Sequence, residues 1–233
     1  MPDDPRPVPP FVPPYKPASF QEADRTDKHV SVQERSYSDQ LFLDQYRGQQ
    51  LETQTADEEF AHVWQTIRDN HGGGNLLAFF LSDNGYAWGD HGLSEKGEPY
   101  LEHSEVPFFV RWPNHFAAGV KDTRIAANID IAPTIYQATG IKPGYTVDGR
   151  SLLRDWRRSW LLLEFQNPNV PAIPPWYSYV VPGKRQYVQW SDGFVEDYNL
   201  RNDPAELSAR NVVDPKIAAK IAEARRCSGV ACP

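Results

Sequence analysis

The run Leu76-Leu77-Ala78-Phe79-Phe80-Leu81 constrains this chain more than any other feature. Six successive apolar residues leave no polar face, so they predict a strand buried on both sides, as in a layered α/β sheet. The run stops at Ser82-Asp83-Asn84-Gly85, which breaks a strand sharply. A second run, residues 106–112, predicts another buried strand. Before the first strand, Leu41, Leu43, Tyr46, Leu51, Phe60, Val63, Trp64 and Ile67 form an imperfect helical stripe over residues 39–68, with room for a break at 47–49. His71-Gly72-Gly73-Gly74 ends it. After the second strand, Asp130 reads as the N-cap of a short helix, with Pro133 in its first turn. Helices alternating with buried strands imply an α/β core.

The texture changes near Trp156. Residues 161–165, 177–181, 185–190 and 194–200 read as short strands, with turns at Pro182-Gly183 and Asp192-Gly193. A helix over 215–226 follows, with Ile217, Ile221 and Ala222 on one face. Three regions result: a proline-rich extended strap (1–38), an α/β region (39–155) and an antiparallel region with a terminal helix (156–233). The strap's prolines exclude regular helix over residues 1–20, and its rings Phe11, Tyr15 and Phe20 suit a segment laid over a domain.

Composition removes several functions. Lys and Arg number 24 against 31 Asp and Glu, a net charge of −7, which excludes a generally basic nucleic-acid surface. Aromatics at 12% exclude a disordered chain. No apolar run approaches the roughly 18–20 residues of a membrane span. The opening Met1-Pro2-Asp3-Asp4-Pro5-Arg6-Pro7 lacks the apolar core of a signal peptide. Cys227 and Cys232 are the two cysteines; the residues alone leave open a small disulfide loop or two inert thiols.

Chemistry can collect at the carboxyl end of the first buried strand, where α/β folds place their sites. Asp83 and Asn84 each offer a hard oxygen suited to Ca²⁺ or Mg²⁺, although Asn-Gly is also an ordinary turn. The glycine-punctuated stretch Gly89-Asp90-His91-Gly92-Leu93-Ser94-Glu95-Lys96-Gly97 adds a lysine that can hold an oxyanion and a histidine able to donate a proton. The same stretch also reads as a solvated loop.

The stretch "FFLSDNGYAWGDHGLSEKGEPYLEHSEVPFFVRWPNHFAAG" resembles the sulfatases of the alkaline-phosphatase superfamily. In them a strand ends in S-D-N/H-G, and a G-D/E-H-G loop, a lysine and a VP-apolar-apolar-R-W/Y-P block follow. "ANIDIAPTIYQATGI" and "VDGRSLL" resemble the next two blocks. "SFQEADRTDKH", "WLLLEFQ", "EDYNLRNDPAELSARNV" and "CSGVAC" resemble the N-acetylglucosamine-6-sulfatase-like branch. The resemblance implies an α/β fold: a partial sulfatase core of mixed sheet with flanking helices, plus a small C-terminal antiparallel sheet with a helix.

It also implies a sulfuric ester hydrolase acting on a sulfated sugar such as N-acetylglucosamine-6-sulfate, in glycosaminoglycan degradation, or on an aryl sulfate. Asp83 and Asn84 would ligate Ca²⁺ or Mg²⁺. Lys96 would contact the sulfate, and His91 ranks second to it as a catalytic group. Cys227 and Cys232 would form a disulfide of the C-terminal subdomain, and the setting would be extracytoplasmic, secreted or lysosomal.

The sequence departs from the family in one respect. The formylglycine motif C/S-x-P-S-R and the family's Asp-Asp pair after a first strand are absent. Two metal ligands stand where about four protein ligands, and six or more oxygens in all, are expected. The expectation is therefore a chain inactive by itself, its nucleophile lying on a missing N-terminal segment. Two other functions fit the residues: a non-catalytic sulfatase-like binding module, and a phosphate or phosphonate monoester hydrolase of the same superfamily.

Overall fold

The computed structural model describes residues 16–72 and 74–233. Among these, the α-helices are α1 (Val30–Gln33), α2 (Asp39–His71), α3 (Ile131–Thr139) and α4 (Pro215–Ala224). The strands are β1 (Ala78–Leu81), β2 (Ala87–Trp88), β3 (Ser94–Glu95), β4 (Phe108–Arg111), β5 (Leu161–Phe165), β6 (Trp176–Val181), β7 (Arg185–Trp190) and β8 (Val195–Tyr198). Two compact units divide the chain. One takes the residues up to Ala23, Arg35–Lys96 and Ser104–Val120; the other takes Asp24–Glu34, Gly97–His103 and Lys121–Pro233. The strap's first 15 residues lie outside the described part.

The first unit is built on α2. Ser38 caps it by accepting the Leu41 N–H at 3.2 Å, and Gly72 ends it in the left-handed conformation at φ 70°. The helix runs unbroken through 47–49, since one internal glycine, Gly48, costs only about 1 kcal/mol. Tyr46 packs edge-on against Trp88, and Phe60 against Phe80.

β1 pairs antiparallel with β4, Ala78 opposite Arg111 and Leu81 opposite Phe108. Burial on both faces, expected from the six-residue apolar run, is not what the structure shows. Phe80 is 53% exposed and Phe109 64%. The ladder among the described residues has two strands, with α2 rings over part of one face, so nothing there covers the rest.

The following loop is tightly held. Gly89 has φ 105°, and a Cβ there would lie 2.6 Å from the Phe20 ring. Ser19 accepts the His91 N–H at 2.7 Å through its carbonyl, and donates its hydroxyl to Asp90 at 2.8 Å. Residues 19–21 thus lie along the loop, while Phe11 and Tyr15 lie outside the described residues.

The second unit contains the meander β5-β6-β7-β8, antiparallel throughout. Gly183 and Gly193 supply the positive φ of its turns. Tyr177, Tyr187 and Val195 pack with Ile217 and Ile221 of α4. Asp214 caps α4, accepting the Lys216 and Ile217 N–H groups, and Pro215 takes the first turn. The buried face of α4 is Ile217, Ile221 and Ala224 rather than Ala222, because a straight helix brings i, i+4 and i+7 to one side.

Asp130 stands at the N-cap position of α3, as expected, but its side chain makes no capping bond to that helix. A 3-10 turn, Asn128–Asp130, precedes the helix and turns the carboxylate inward, where it meets the buried Arg158 guanidinium. Gly149 touches this corner closely: a Cβ would fall 1.9 Å from the Ile129 carbonyl oxygen.

Cys227 and Cys232 form a disulfide with a Cα separation of 5.2 Å. The small loop is docked by Gly229 N–H donating to Asp148 at 2.6 Å and by Arg150 donating to the Cys232 carbonyl at 2.8 Å. Opening so short a loop releases about 2 kcal/mol of chain entropy to the unfolded state. Cys227→Ser with Cys232→Ser is therefore expected to lower stability by about 2 kcal/mol. Thermal melts with and without reductant check this: reductant shifts the wild type and leaves the double variant unmoved.

Candidate functional site

The end of β1 turns on its own side chains. Ser82 Oγ donates to the Asn84 carbonyl at 2.9 Å, and Asp83 Oδ1 accepts the Asn84 N–H at 3.0 Å. Asn84 Nδ2 donates to the Gly85 carbonyl at 2.7 Å, which leaves Oδ1 facing outward as an acceptor. Such short-range bonds from polar side chains to neighbouring backbone are what Asp and Asn favour at a turn.

The hairpin β2–β3 brings the chain back, Ala87 opposite Glu95 and Trp88 opposite Ser94. It delivers Lys96 to the turn. Lys96 Nζ donates to Asn84 Oδ1 at 2.8 Å across twelve residues of sequence. Asp83 and Lys96 are both exposed and Asn84 is partly so. Three of the residues singled out from the sequence therefore share one small surface: a carboxylate, an amide oxygen and an ammonium.

Nearby Tyr86 packs against Trp88, and burial, with Glu95 beside it, raises its phenol above the ordinary range. Ser94 Oγ donates to Gln45 of α2 at 3.0 Å, which ties the hairpin to the helix.

His91 has a different setting. It is fully buried, adopts φ 53°, and its Nδ1 lies 2.7 Å from Glu22 Oε2. The bonds of its ring and main chain to Glu22 and Ser19 anchor the loop to the strap. Glu22 was missed by the sequence reading. It lies 69 residues upstream in an irregular segment, and no periodicity links it to the loop.

The turn's donors suit a hard divalent cation in kind, since such ions take carboxylate and amide oxygens. In number they form one side of a site. Asp83 and Asn84 supply two oxygens of about six or more, and one of these two is engaged by Lys96. The ammonium itself suits an oxyanion as a point charge.

Comparisons with known proteins bear on this surface. The sulfatase family model matches residues 8–141, and the model for the C-terminal part of N-sulphoglucosamine sulphohydrolase matches residues 89–226. Human N-acetylglucosamine-6-sulfatase is 30% identical over 206 residues, covering 68% of this chain and 36% of its own length. An arylsulfatase of Clostridium perfringens is 28% identical over 141 residues, covering 58% of this chain and 29% of its own.

Among solved structures, a 2-O glycosaminoglycan sulfatase superposes with a TM-score of 0.75 at 20% identity, over 94% of this chain and 52% of its own. A protein solved in complex with its substrate D-glucosamine-2-N,6-O-disulfate superposes with a TM-score of 0.67 at 19% identity, over 76% of this chain and 38% of its own. This chain thus spans about half or less of the length of each of these relatives. These structures share its fold.

Proposed function

Since the chain belongs to the sulfatase family, we propose that it carries part of the active site of a sulfuric ester hydrolase, acting on a sulfated sugar such as N-acetylglucosamine-6-sulfate or on an aryl sulfate. One observation carries the reading: Lys96 Nζ stands 2.8 Å from Asn84 Oδ1, beside Asp83, at the end of β1. A sulfate monoester is an anion, and charge grows on its oxygens and leaving group during hydrolysis. Catalysis needs fixed positive charge there.

In this reading Asp83 and Asn84 hold a divalent cation, Ca²⁺ or Mg²⁺, with further oxygens from elsewhere. When bound, the cation supplies Lewis-acid stabilisation of the sulfate oxygens. Lys96 binds a sulfate oxygen through its ammonium. His91 holds the loop in shape through Glu22, so its substitution acts on the position of Lys96. The nucleophile motif C/S-x-P-S-R is not in this sequence, so the chain alone is expected to be inactive. In an active assembly the nucleophile comes from a segment corresponding to the N-terminal part of the relatives. The disulfide suits an oxidising, extracytoplasmic setting.

Two measurements test this. On the chain itself, calorimetric titration with Ca²⁺ is expected to lose its heat in Asp83→Ala and keep it in Lys96→Ala. In the active polypeptide, assayed on a chromogenic aryl sulfate, Asp83→Ala abolishes turnover. Lys96→Ala lowers kcat/KM by about 100-fold, the usual effect of removing one charge-stabilising group. Wild-type activity in both variants would sink the assignment.

A further inference from the structure

We infer that the arginines gathered around Trp156 form a contact for a sulfated glycan chain, holding sulfate groups other than the one hydrolysed; the inference rests on the proposed substrate being a sulfated sugar. Residues 121–158 hold seven Lys and Arg against four Asp, in a chain whose net charge is −7. All belong to the second unit. The cations are also close in space. The guanidinium groups of Arg124, Arg150 and Arg158 all lie over the Trp156 ring. That ring is itself fixed, its indole N–H donating to the Ser151 carbonyl at 2.8 Å.

These arginines are not equivalent. Arg158 is committed to Asp130, and Arg124 is paired with Asp122 at 2.5 Å. Arg150 donates to the Arg157 and Cys232 carbonyls at 3.0 and 2.8 Å. Arg154 donates through Nε to Gln137 Oε1 at 3.1 Å. Those three acceptors are neutral, and neither guanidinium has a carboxylate partner among the described residues. Such a group is oriented without being neutralised. Of the five N–H donors of a guanidinium, these bonds use two in Arg150 and one in Arg154.

Arg157 adds a third available cation. Its pair with Asp155, at 3.3 Å, joins side chains that are 77% and 92% exposed, so water already competes for it. The backbone beneath is held in place. Arg124 donates to the Arg154 carbonyl at 2.7 Å, and Arg150 to that of Arg157.

The chemistry selects the partner. A guanidinium is a weakly hydrated cation whose planar fork takes two oxygens of one anion. A sulfate monoester is a weakly hydrated anion that presents such oxygens. A sulfated polysaccharide repeats the group along its length, so several modest contacts add together. Elsewhere an acidic chain repels a polyanion, which confines the contact to the place where cations cluster.

The test is titration calorimetry of the whole chain with a fully sulfated heparin octasaccharide, and with polyglutamate of matched charge. Arg150→Gln with Arg154→Gln is expected to weaken octasaccharide binding about tenfold or more, the scale of a charged hydrogen bond. Lys184→Gln with Arg201→Gln is the control. It removes two exposed cations of the same unit, with the same change of net charge, and is expected to weaken binding by about twofold or less. Polyglutamate is expected to bind about tenfold more weakly than the octasaccharide.

If Arg150→Gln does not fold, Arg154→Gln with Arg157→Gln decides the matter, since both residues are exposed. No octasaccharide binding by the wild type, unchanged binding in the arginine variants, or an equal loss in the control overturns the inference. Equal binding of polyglutamate overturns the sulfated glycan as its partner. Failure of the proposed function is read separately, as a Ca²⁺ heat that survives Asp83→Ala, and none of these variants touches that readout.

Discussion

Asp130→Ala is expected to destabilise the second unit by about 3–5 kcal/mol, the cost of leaving one member of a buried ion pair alone. The Asp130 and Arg158 side chains are both fully buried. The carboxylate accepts both terminal guanidinium nitrogens at 2.8 Å, and in addition the Ala127 and Arg150 N–H groups at 2.9 and 2.7 Å. The variant removes all four contacts at once and leaves a guanidinium with no counter-charge. Against a total stability of about 5–15 kcal/mol, that is a large fraction.

Urea denaturation followed by tryptophan emission measures it, and Trp156 is well placed to report. Its ring lies under the Arg124, Arg150 and Arg158 guanidinium groups, with charge-to-centroid distances of 4.9, 5.8 and 5.1 Å. Asp130→Asn does not restore the pair, because the amide nitrogen would face an Arg158 donor. Replacing both members, Asp130→Leu with Arg158→Met, is expected to recover much of the loss, since well-packed apolar groups replace buried ion pairs at little cost. A loss below about 1 kcal/mol for Asp130→Ala would show that water reaches the pair and that it is not the anchor described.

This pair also shows where sequence reasoning stops. An aspartate before a short helix is the ordinary signal for an N-cap, and local pattern contains nothing to overrule it. The overruling partner, Arg158, stands 28 residues later in an irregular stretch. The meander was legible because each strand ends in its own turn signal. Pro182-Gly183 and Asp192-Gly193 act locally, and β5 to β8 lie within a few residues of the ranges expected.

The continuity of α2 was less legible, because a glycine and neighbouring polar residues weaken a stripe without breaking the backbone ladder. At the site, Asp83, Asn84 and Lys96 were readable as residue types at the end of a strand. That Lys96 reaches Asn84 depends on the short β2–β3 hairpin, whose two-residue strands are too brief for period-two patterning to reveal. The contact of Glu22 with His91 is long-range, with no periodic signature at all.

Glu196 carries the second large effect, and it is one that pH controls. The carboxyl is fully buried on β8. Its oxygens accept the His29 N–H at 3.0 Å, the Trp190 indole at 2.8 Å, and the Tyr198 and Tyr100 hydroxyls at 2.6 and 3.2 Å. Glu196→Ala removes the acceptor that four buried donors share, and at about 1–3 kcal/mol for each that stays unsatisfied the expected loss is several kcal/mol. Glu196→Gln keeps an acceptor for two of them and costs less.

Burial pushes the Glu196 carboxyl above its ordinary 4.5, while its hydrogen-bond donors and Lys28 pull it down, burial winning. A raised folded value means that the native state binds a proton more tightly than the unfolded chain. The associated stability is complete below about pH 4.5 and is lost as pH rises through the folded value. Stability measured by urea unfolding is therefore expected to fall with rising pH above 4.5 in the wild type, and to fall less steeply in Glu196→Gln. The slope that remains includes Glu206 and Glu105, which burial also raises. Identical slopes for the two proteins would mean that Glu196 is already ionised throughout the window, and that its four donors outweigh its desolvation.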